Sequence, residues 1–258
     1  MGFILQDYSL STCAILFIVT AFAKSYGSIY GGGSFVVQPL LMAFGIPPQV
    51  AVANDMFGSI GAQISVGLVF RKARALRMDV VKRWLLFTTL GTFAGVFLLS
   101  IIPTLILKAL LLIICAIGII YMIKPSGTLE LRPVSKWSKN FAAFQIGSYL
   151  GFSGAGATTL CVAFLKKLEG LTFKQAVGTS KFLFFIPSLV AFAQYLFLGW
   201  IKPDLALLMF TACILGGWVG AHAAIRLPEK VLKITFYIAA VLVLGLASYD
   251  VLRTFRGS

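Results

Sequence analysis

Charged residues are scarce in this sequence. They make up 12% of its 258 residues, only eight of them are acidic, and histidine occurs once. A water-soluble domain of this length needs a more polar surface, because charged side chains are the ones that stay in contact with water. The composition therefore excludes a soluble domain.

Cysteine is also scarce, and its placement is uninformative for chemistry. The four cysteines lie inside apolar segments, and no two of them have the C-x-x-C spacing of a metal or redox motif. Their expected role is packing, as small apolar side chains. We expect neither a disulfide framework nor a metal site, and no cofactor. The four are Cys13, Cys115, Cys161 and Cys213.

A basic leader segment is missing as well. The first ten residues, MGFILQDYSL, contain no lysine or arginine and carry Asp7. Cleaved signal peptides begin with basic residues. We therefore expect the first apolar run to be retained as a helix.

Long uncharged apolar runs are abundant. Hydrophobic residues make up 59% of the chain, and the mean hydropathy is +0.96. A helix of about 20 apolar residues crosses the ~30 Å hydrocarbon core of a bilayer. The runs show no strand alternation, so we predict an all-α polytopic membrane protein. Runs of this length cover residues 25–54, 84–107, 140–165, 182–201 and 205–225.

The sequence contains a weak internal repeat. QVAVAND at 49–55 resembles QAVGTSK at 175–181, which lies 126 positions later, and each half has a glycine-rich stretch, YGGGS at 30–34 and GFSGAGATT at 151–159. We predict one transmembrane domain, 1–258, built from repeats at about 9–124 and 139–250. A linker at about 124–139 joins them.

Each repeat divides into five apolar segments. The first two segments of each half are predicted to be short and to be separated by the glycine-rich stretch; whether they cross the membrane or form re-entrant hairpins stays open. The segments are 10–26, 35–44, 49–70, 84–101 and 104–123, then 140–151, 157–168, 175–198, 205–226 and 230–249.

The distribution of basic residues predicts the orientation. Sixteen of the 22 lysines and arginines lie in four loops, at 71–83, 124–139, 166–174 and 226–233. The positive-inside rule places these loops in the cytoplasm, so both termini are predicted outside the inner membrane. The net charge of +14 then reflects topology, and we expect no nucleic-acid partner. The two repeats have opposite orientations, as in many secondary transporters.

These motifs together resemble the TauE/SafE sulfite-exporter family of membrane permeases. The resemblance covers about residues 26–249 and rests on YGGGSFVVQPLL, on AVAND before a basic RKAR loop, and on GFSGAG with AVGTSKF. It implies transport of sulfite, sulfonates, sulfoacetate or similar anions across the cytoplasmic membrane, with export as the expected direction. Some members have a basic residue near the position of Asp55, so a simple clamp of two lysines is not implied.

The glycine-rich stretches are the predicted anion site. Each precedes a short helix, and a helix N-terminus offers unpaired N–H groups to an anion that has lost its water. Two such N-termini at the membrane midplane form a donor-lined pocket. The alternative is close helix packing through small residues. The proposed ligands are Gly31, Gly32, Gly33, Ser34, Gly154, Gly156, Thr158 and Thr159.

Charged residues inside the third segments are further candidates. Lys181 is predicted to bind the anion, or else to extend to the interface. Asp55 is interpreted as the repeat counterpart of Lys181; it could bind a coupling proton, or pair with Lys181 or with Lys24. Lys24 is a possible entry charge, or a lysine placed at a helix C-terminus. Asn54, Thr179 and Ser180 are predicted polar neighbours of the substrate.

Two other functions remain open from the sequence. The same helix N-termini could line a passive anion channel. GFSGA at 151–155 also resembles the setting of the serine in intramembrane proteases, which would require a dyad of Ser153 and His222. The inverted repeat has no need of such a dyad, so we predict no enzyme activity. The sequence does not decide between a monomer and a homodimer.

Overall fold

The computed structural model describes residues 8–72, 76–123 and 135–226, and this part of the chain is helical throughout. The predicted tenth segment (230–249), the two termini and most of the loops at 124–139 and 226–233 lie outside the described residues. The helices are α1 (Leu10–Tyr30), α2 (Ser34–Ala43), α3 (Pro48–Lys72), α4 (Met78–Ile101), α5 (Thr104–Ile123), α6 (Lys136–Phe152), α7 (Ala157–Glu169), α8 (Phe173–Phe197) and α9 (Pro203–Arg226).

The prediction of a polytopic helical membrane protein is confirmed. Four of the described helices contain stretches long and apolar enough to span a bilayer: Leu10–Ser28, Met78–Ile101, Phe173–Phe197 and Pro203–His222. On α4, a stripe of large apolar side chains at helical spacing is more than half exposed. Such a stripe is stable against lipid and costly against water. Its members are Leu86, Leu90, Phe93 and Phe97.

The first helix differs from its prediction as a short segment. α1 has 21 residues and continues to Tyr30, past the predicted end at residue 26. Gly27 therefore lies within the helix. Its role is close approach, because a Cβ on Gly27 would lie 2.6 Å from the backbone nitrogen of Gly33.

Two helix pairs form hairpins that return to the end from which they start. The Tyr8 hydroxyl donates to the Phe44 carbonyl at 2.6 Å, which joins the start of α1 to the end of α2. Lys139 Nζ lies 3.3 Å from Glu169 Oε2, which joins the start of α6 to the end of α7. The glycine-rich stretches are the tips of these hairpins.

The hairpins enter from opposite ends of the molecule. α3 follows α2 directly and has 25 residues, so its two ends lie about 37 Å apart. Its far end leads to α4, where Arg83 Nη1 pairs with Glu169 Oε2 of the second hairpin at 3.0 Å. The tips meet in the interior, where Gln38 Nε2 donates to the Ser153 carbonyl at 2.6 Å.

Small residues allow the helices to pack closely. A Cβ on Gly91 or Gly95 of α4 would collide with carbonyl oxygens of α6, and a Cβ on Gly216 or Gly220 of α9 would collide with carbonyl oxygens of α1. Lipid provides no hydrophobic force between helices, so close packing of this kind holds membrane bundles together.

The helix starts give the two halves an offset of 125 positions, one less than the motif match. α3 and α8 both have 25 residues and begin 125 positions apart, at residues 48 and 173. α4 and α9 begin 125 positions apart as well, at residues 78 and 203. The match between the seven-residue motifs at 49–55 and 175–181 has an offset of 126 positions. The offset of the helix starts aligns Lys181 with Met56, and the motif match aligns it with Asp55, so the counterpart of Lys181 stays a prediction.

Close packing of α4 on α6 predicts a specific instability. Gly95→Ala places a methyl group against the Ser148 carbonyl, so we expect the free energy of unfolding to fall by about 1–3 kcal/mol. Thermal unfolding in detergent measures this. Gly67→Ala is the control, because nothing lies within 4 Å of a Cβ added there. Equal stability of the two variants would contradict the packing argument.

Candidate functional site

The hairpin tips meet around a small buried cavity of about 50 Å³. A water molecule needs roughly 10–15 Å³ of such space, so the cavity has room for a compact group of a few heavy atoms. Its walls come from the end of α1, the start of α2, the middle of α3, the tip between α6 and α7, and α8. It is polar on several sides although it lies among membrane-spanning helices.

Most of the residues proposed from the sequence line this cavity, and they come from both halves of the chain. Five of the proposed residues do not line it: Gly31, Asn54, Thr159, Thr179 and Ser180. Those that do are Lys24, Gly32, Gly33, Ser34, Asp55, Gly154, Gly156, Thr158 and Lys181.

Lys24 and Asp55 form a buried ion pair in the wall of the cavity. Lys24 Nζ lies 2.6 Å from Asp55 Oδ1, and the two residues are 5% and 2% exposed. The ammonium also donates to Ser34 Oγ at 2.8 Å and to Ser59 Oγ at 2.9 Å. Gln38 Nε2 donates to the second carboxylate oxygen at 3.2 Å. Of the partners considered for Asp55, the structure therefore selects Lys24.

Lys181 has a different environment. It is 7% exposed, and its ammonium donates to Thr158 Oγ1 at 3.1 Å and to the Gly27 carbonyl at 3.4 Å. Both acceptors are neutral, and no carboxylate of the described residues pairs with it. The side chain extends to the hairpin tips and not to the membrane interface. A buried ammonium without a counter-ion is costly, so this group is suited to meet an anion.

Two helix N-termini border the cavity. α2 begins at Ser34 after Gly33, and α7 begins at Ala157 after Gly156; neither start is capped by a side-chain hydrogen bond. The N–H groups in the first turn of a helix lack partners within the helix, and they carry a partial positive charge. The N–H groups of Phe35, Val36 and Ala157 bond to the carbonyls of Gly32, Gly33 and Gly154. What both halves bring to the same small space is therefore the partial positive charge of a helix start.

Glycine is required at the tips for two reasons. Gly32, Gly154 and Gly156 have φ angles of 84°, 67° and 72°, in the left-handed region that other residues rarely adopt. A Cβ on Gly156 would also collide with the ring of Phe35, and one on Gly31 with Thr159. The glycines thus let the tips approach closely as well as turn.

The polar residues outside the cavity hold the helices in place. Asn54 donates to the carbonyls of Val50 and Trp200 and accepts from the Lys202 backbone N–H at 3.1 Å, which anchors α3 to the α8–α9 connection. The Thr179 hydroxyl accepts from the Arg77 backbone at 3.2 Å.

Ser180 is likewise engaged away from the cavity, because its hydroxyl donates to the Val177 carbonyl at 2.8 Å. Thr159 lies beside Gly31 at the meeting point of the two tips.

Several polar residues in and around the cavity were not among the proposed ligands. Ser59 lies one helical turn after Asp55, so counting along the helix face identifies it. Ser28 and Gln63 also line the cavity. Gln38 joins Asp55 to Ser153 of the other half.

The serine and histidine considered for a protease do not meet. Ser153 lines the cavity, and its hydroxyl donates to Gln38 Oε1 at 3.3 Å. His222 lies on a separate groove beside Lys72, where its Nδ1 is 2.8 Å from the Trp218 carbonyl. The described geometry therefore offers no dyad.

A helical membrane protein with a buried charged cavity between two broken-helix tips has the construction of a membrane transporter. The sequence comparisons agree. The family model described as "Sulfite exporter TauE/SafE" matches residues 16–247, and the chain belongs to that family. The expected family resemblance is thus confirmed.

Curated relatives carry transporter names. The chain is 27% identical to a "Probable membrane transporter protein" of Haemophilus influenzae, over 95% of this chain and 98% of the relative. It is 27% identical to "Probable membrane transporter protein ORF9" of a Sinorhizobium species, over 92% of both chains. It is 24% identical to "Probable membrane transporter protein YfcA" of Escherichia coli K12, over 92% of this chain and 89% of the relative. No solved structure matches the chain significantly.

The ion pair predicts how single and double substitutions differ. Lys24→Met leaves Asp55 buried without its cation, so we expect a loss of about 3 kcal/mol or more in the free energy of unfolding. The double variant Lys24→Met/Asp55→Asn removes both charges, so most of that loss should be recovered. Thermal unfolding of the purified protein measures both. A double variant less stable than Lys24→Met would contradict the pairing.

Proposed function

We propose that this protein is a secondary transporter of small sulfur-containing or organic anions, of the sulfite, sulfonate or sulfoacetate class. Lys181 is the observation that carries the proposal: it is a buried ammonium that no described carboxylate pairs with, in a cavity lined by two helix N-termini. A bound anion would supply the missing counter-charge. Cavity donors from both halves would replace the water that the anion loses.

The substrate class and the direction follow the family. Its description names a sulfite exporter, and the oxygens of sulfite and sulfonates accept hydrogen bonds from ammonium, hydroxyl and backbone N–H groups. Groups of all three kinds border the cavity. Export is therefore the proposed direction.

Alternating access between two inverted repeats is the proposed mechanism. Two features support it. α4 packs on α6 in the same way as α9 packs on α1. Each half also has one hairpin, and the two hairpins enter from opposite ends of the molecule. Two halves of this kind can exchange conformations, which opens a central site to one side and then to the other.

The proposed orientation places the basic end in the cytoplasm. Arg83 and Lys139 meet Glu169 at this end, and Arg71 and Lys72 close α3 beside it. Residue 8 lies at the other end, which fits an N-terminus outside the inner membrane. The predicted position of the C-terminus falls outside the described residues.

Proton coupling through Asp55 is part of the proposal. A proton on Asp55 would leave Lys24 unpaired, so it would add one positive charge to the cavity. We expect a proton gradient to drive flux in the wild type and to have no effect on flux in Asp55→Asn. Flux assays with imposed pH gradients measure this. Unchanged coupling in the variant would remove Asp55 from this role.

Counterflow in proteoliposomes tests the proposed substrate class. Sulfite, sulfoacetate, taurine, thiosulfate and sulfate serve as competitors, and at least one should exchange. If none does, the family-based substrate class is wrong for this protein. Accumulation of solute against its gradient distinguishes a transporter from the alternative of a passive anion channel, because a channel cannot concentrate its solute.

Lys181→Ala tests the site. We expect it to abolish counterflow while the folded protein remains in the membrane, because the charge that pairs with the anion is gone. Lys174→Ala is the matched control, since Lys174 is an exposed lysine on the same helix. Wild-type flux from Lys181→Ala would contradict the role of Lys181.

A further inference from the structure

The charges that line the cavity can be counted. Among the residues that the structure describes, three ionisable side chains reach it, each from a different helix: Lys24 from α1, Asp55 from α3 and Lys181 from α8. All three are at most 7% exposed, so water screens them little. Their sum fixes the net charge that a bound substrate encounters.

The first two charges cancel. Lys24 and Asp55 lie 2.6 Å apart, and their remaining hydrogen bonds go to neutral groups, namely Ser34, Ser59 and Gln38. The pair therefore contributes donors and acceptors to the wall but no net charge.

Lys181 supplies the remaining positive charge. Besides Lys24, the ionisable groups near it in the described part of the chain are the buried thiols of Cys161 on α7 and Cys213 on α9, and burial opposes charge on a thiol. The helix N-termini add N–H donors without adding an ionised group. With Asp55 ionised and Lys181 protonated, the described residues give the cavity a net charge of plus one.

We propose that the substrate of this site is a singly charged anion with one compact head group. This inference rests on the proposed anion-transport function and narrows it. A monoanion neutralises the cavity, whereas a dianion leaves a buried negative charge without a partner, which is costly. The small volume also favours a compact anion, since a cavity of about 50 Å³ has room for one charged head group and not for two.

The inference separates members of the proposed substrate class. Hydrogen sulfite and short sulfonates carry one negative charge and fit the count. Sulfate and the dianion of sulfoacetate carry two, and sulfoacetate also has a second head group. The first set should be transported and the second should not.

Methanesulfonate and sulfate are the matched pair for the test. Both are tetrahedral at sulfur and similar in size, and they differ by one unit of charge. In counterflow at pH 6 and constant ionic strength, we expect sulfate to compete less well than methanesulfonate by a factor of about ten or more. Equal or better competition by sulfate would overturn the inference.

Asp55→Asn tests the charge count within the same cavity. It removes the negative charge that cancels Lys24, so the net charge becomes plus two. Relative to methanesulfonate, sulfate should then compete in counterflow about tenfold or more better than it does in the wild type. The double variant Lys24→Met/Asp55→Asn returns the count to plus one, so its preference should return to methanesulfonate whatever its rate. An unchanged preference in Asp55→Asn would overturn the inference.

Stability measurements serve if Asp55→Asn is too unstable to transport. Sulfate should then raise its unfolding temperature more than methanesulfonate does, with the opposite order in the wild type. The same order in both proteins would count against the charge argument. Failure of every anion to exchange in the wild type would overturn the proposed function itself, whereas exchange of sulfate as good as that of methanesulfonate would overturn this inference alone.

Discussion

The cost of burying charge at membrane depth is the constraint on which the rest of this structure depends. Three ionisable side chains of the described residues lie in one small cavity. Two of them neutralise each other, since Lys24 Nζ and Asp55 Oδ1 are 2.6 Å apart. Lys181 has hydrogen bonds to neutral oxygens but no described carboxylate beside it. The proposed function follows from this difference, because a bound anion would neutralise the Lys181 charge that the described protein groups do not.

The fold places that cavity where a broken backbone can be tolerated. Irregular chain inside a membrane is stable only where it is buried in protein or lines a polar space. Here two hairpins enter from opposite ends, and their glycine tips border the same cavity. The left-handed glycines and the helix starts after them bring partial positive charge to the cavity from both halves. The small-residue contacts of α4 with α6 and of α9 with α1 hold the two hairpins in this arrangement.

Much of this could be predicted from the sequence, and the exceptions have physical reasons. Apolar runs predicted most helix bounds to within a few residues. α4 begins six residues before its predicted start, at Met78, because charged residues occupy its first turns. α1 continues through Gly27, a glycine needed for close approach and not for a turn. Asn54 and Ser180 were proposed because they adjoin Asp55 and Lys181 in sequence. Neighbours along a helix point about 100° apart, so they face other helices. The pairing of Lys24 with Asp55 joins two separate helices, and no local pattern encodes it.

The central claim is that an anion binds beside Lys181, between the two tips. Selenite is a sulfite analogue whose selenium scatters X-rays anomalously, so a crystal structure with selenite would show the position of the anion directly. The account predicts an anomalous peak within hydrogen-bonding reach of Lys181 Nζ, bordered by the starts of α2 and α7. A selenite peak elsewhere in the protein, with the cavity beside Lys181 empty at saturating selenite, would contradict it.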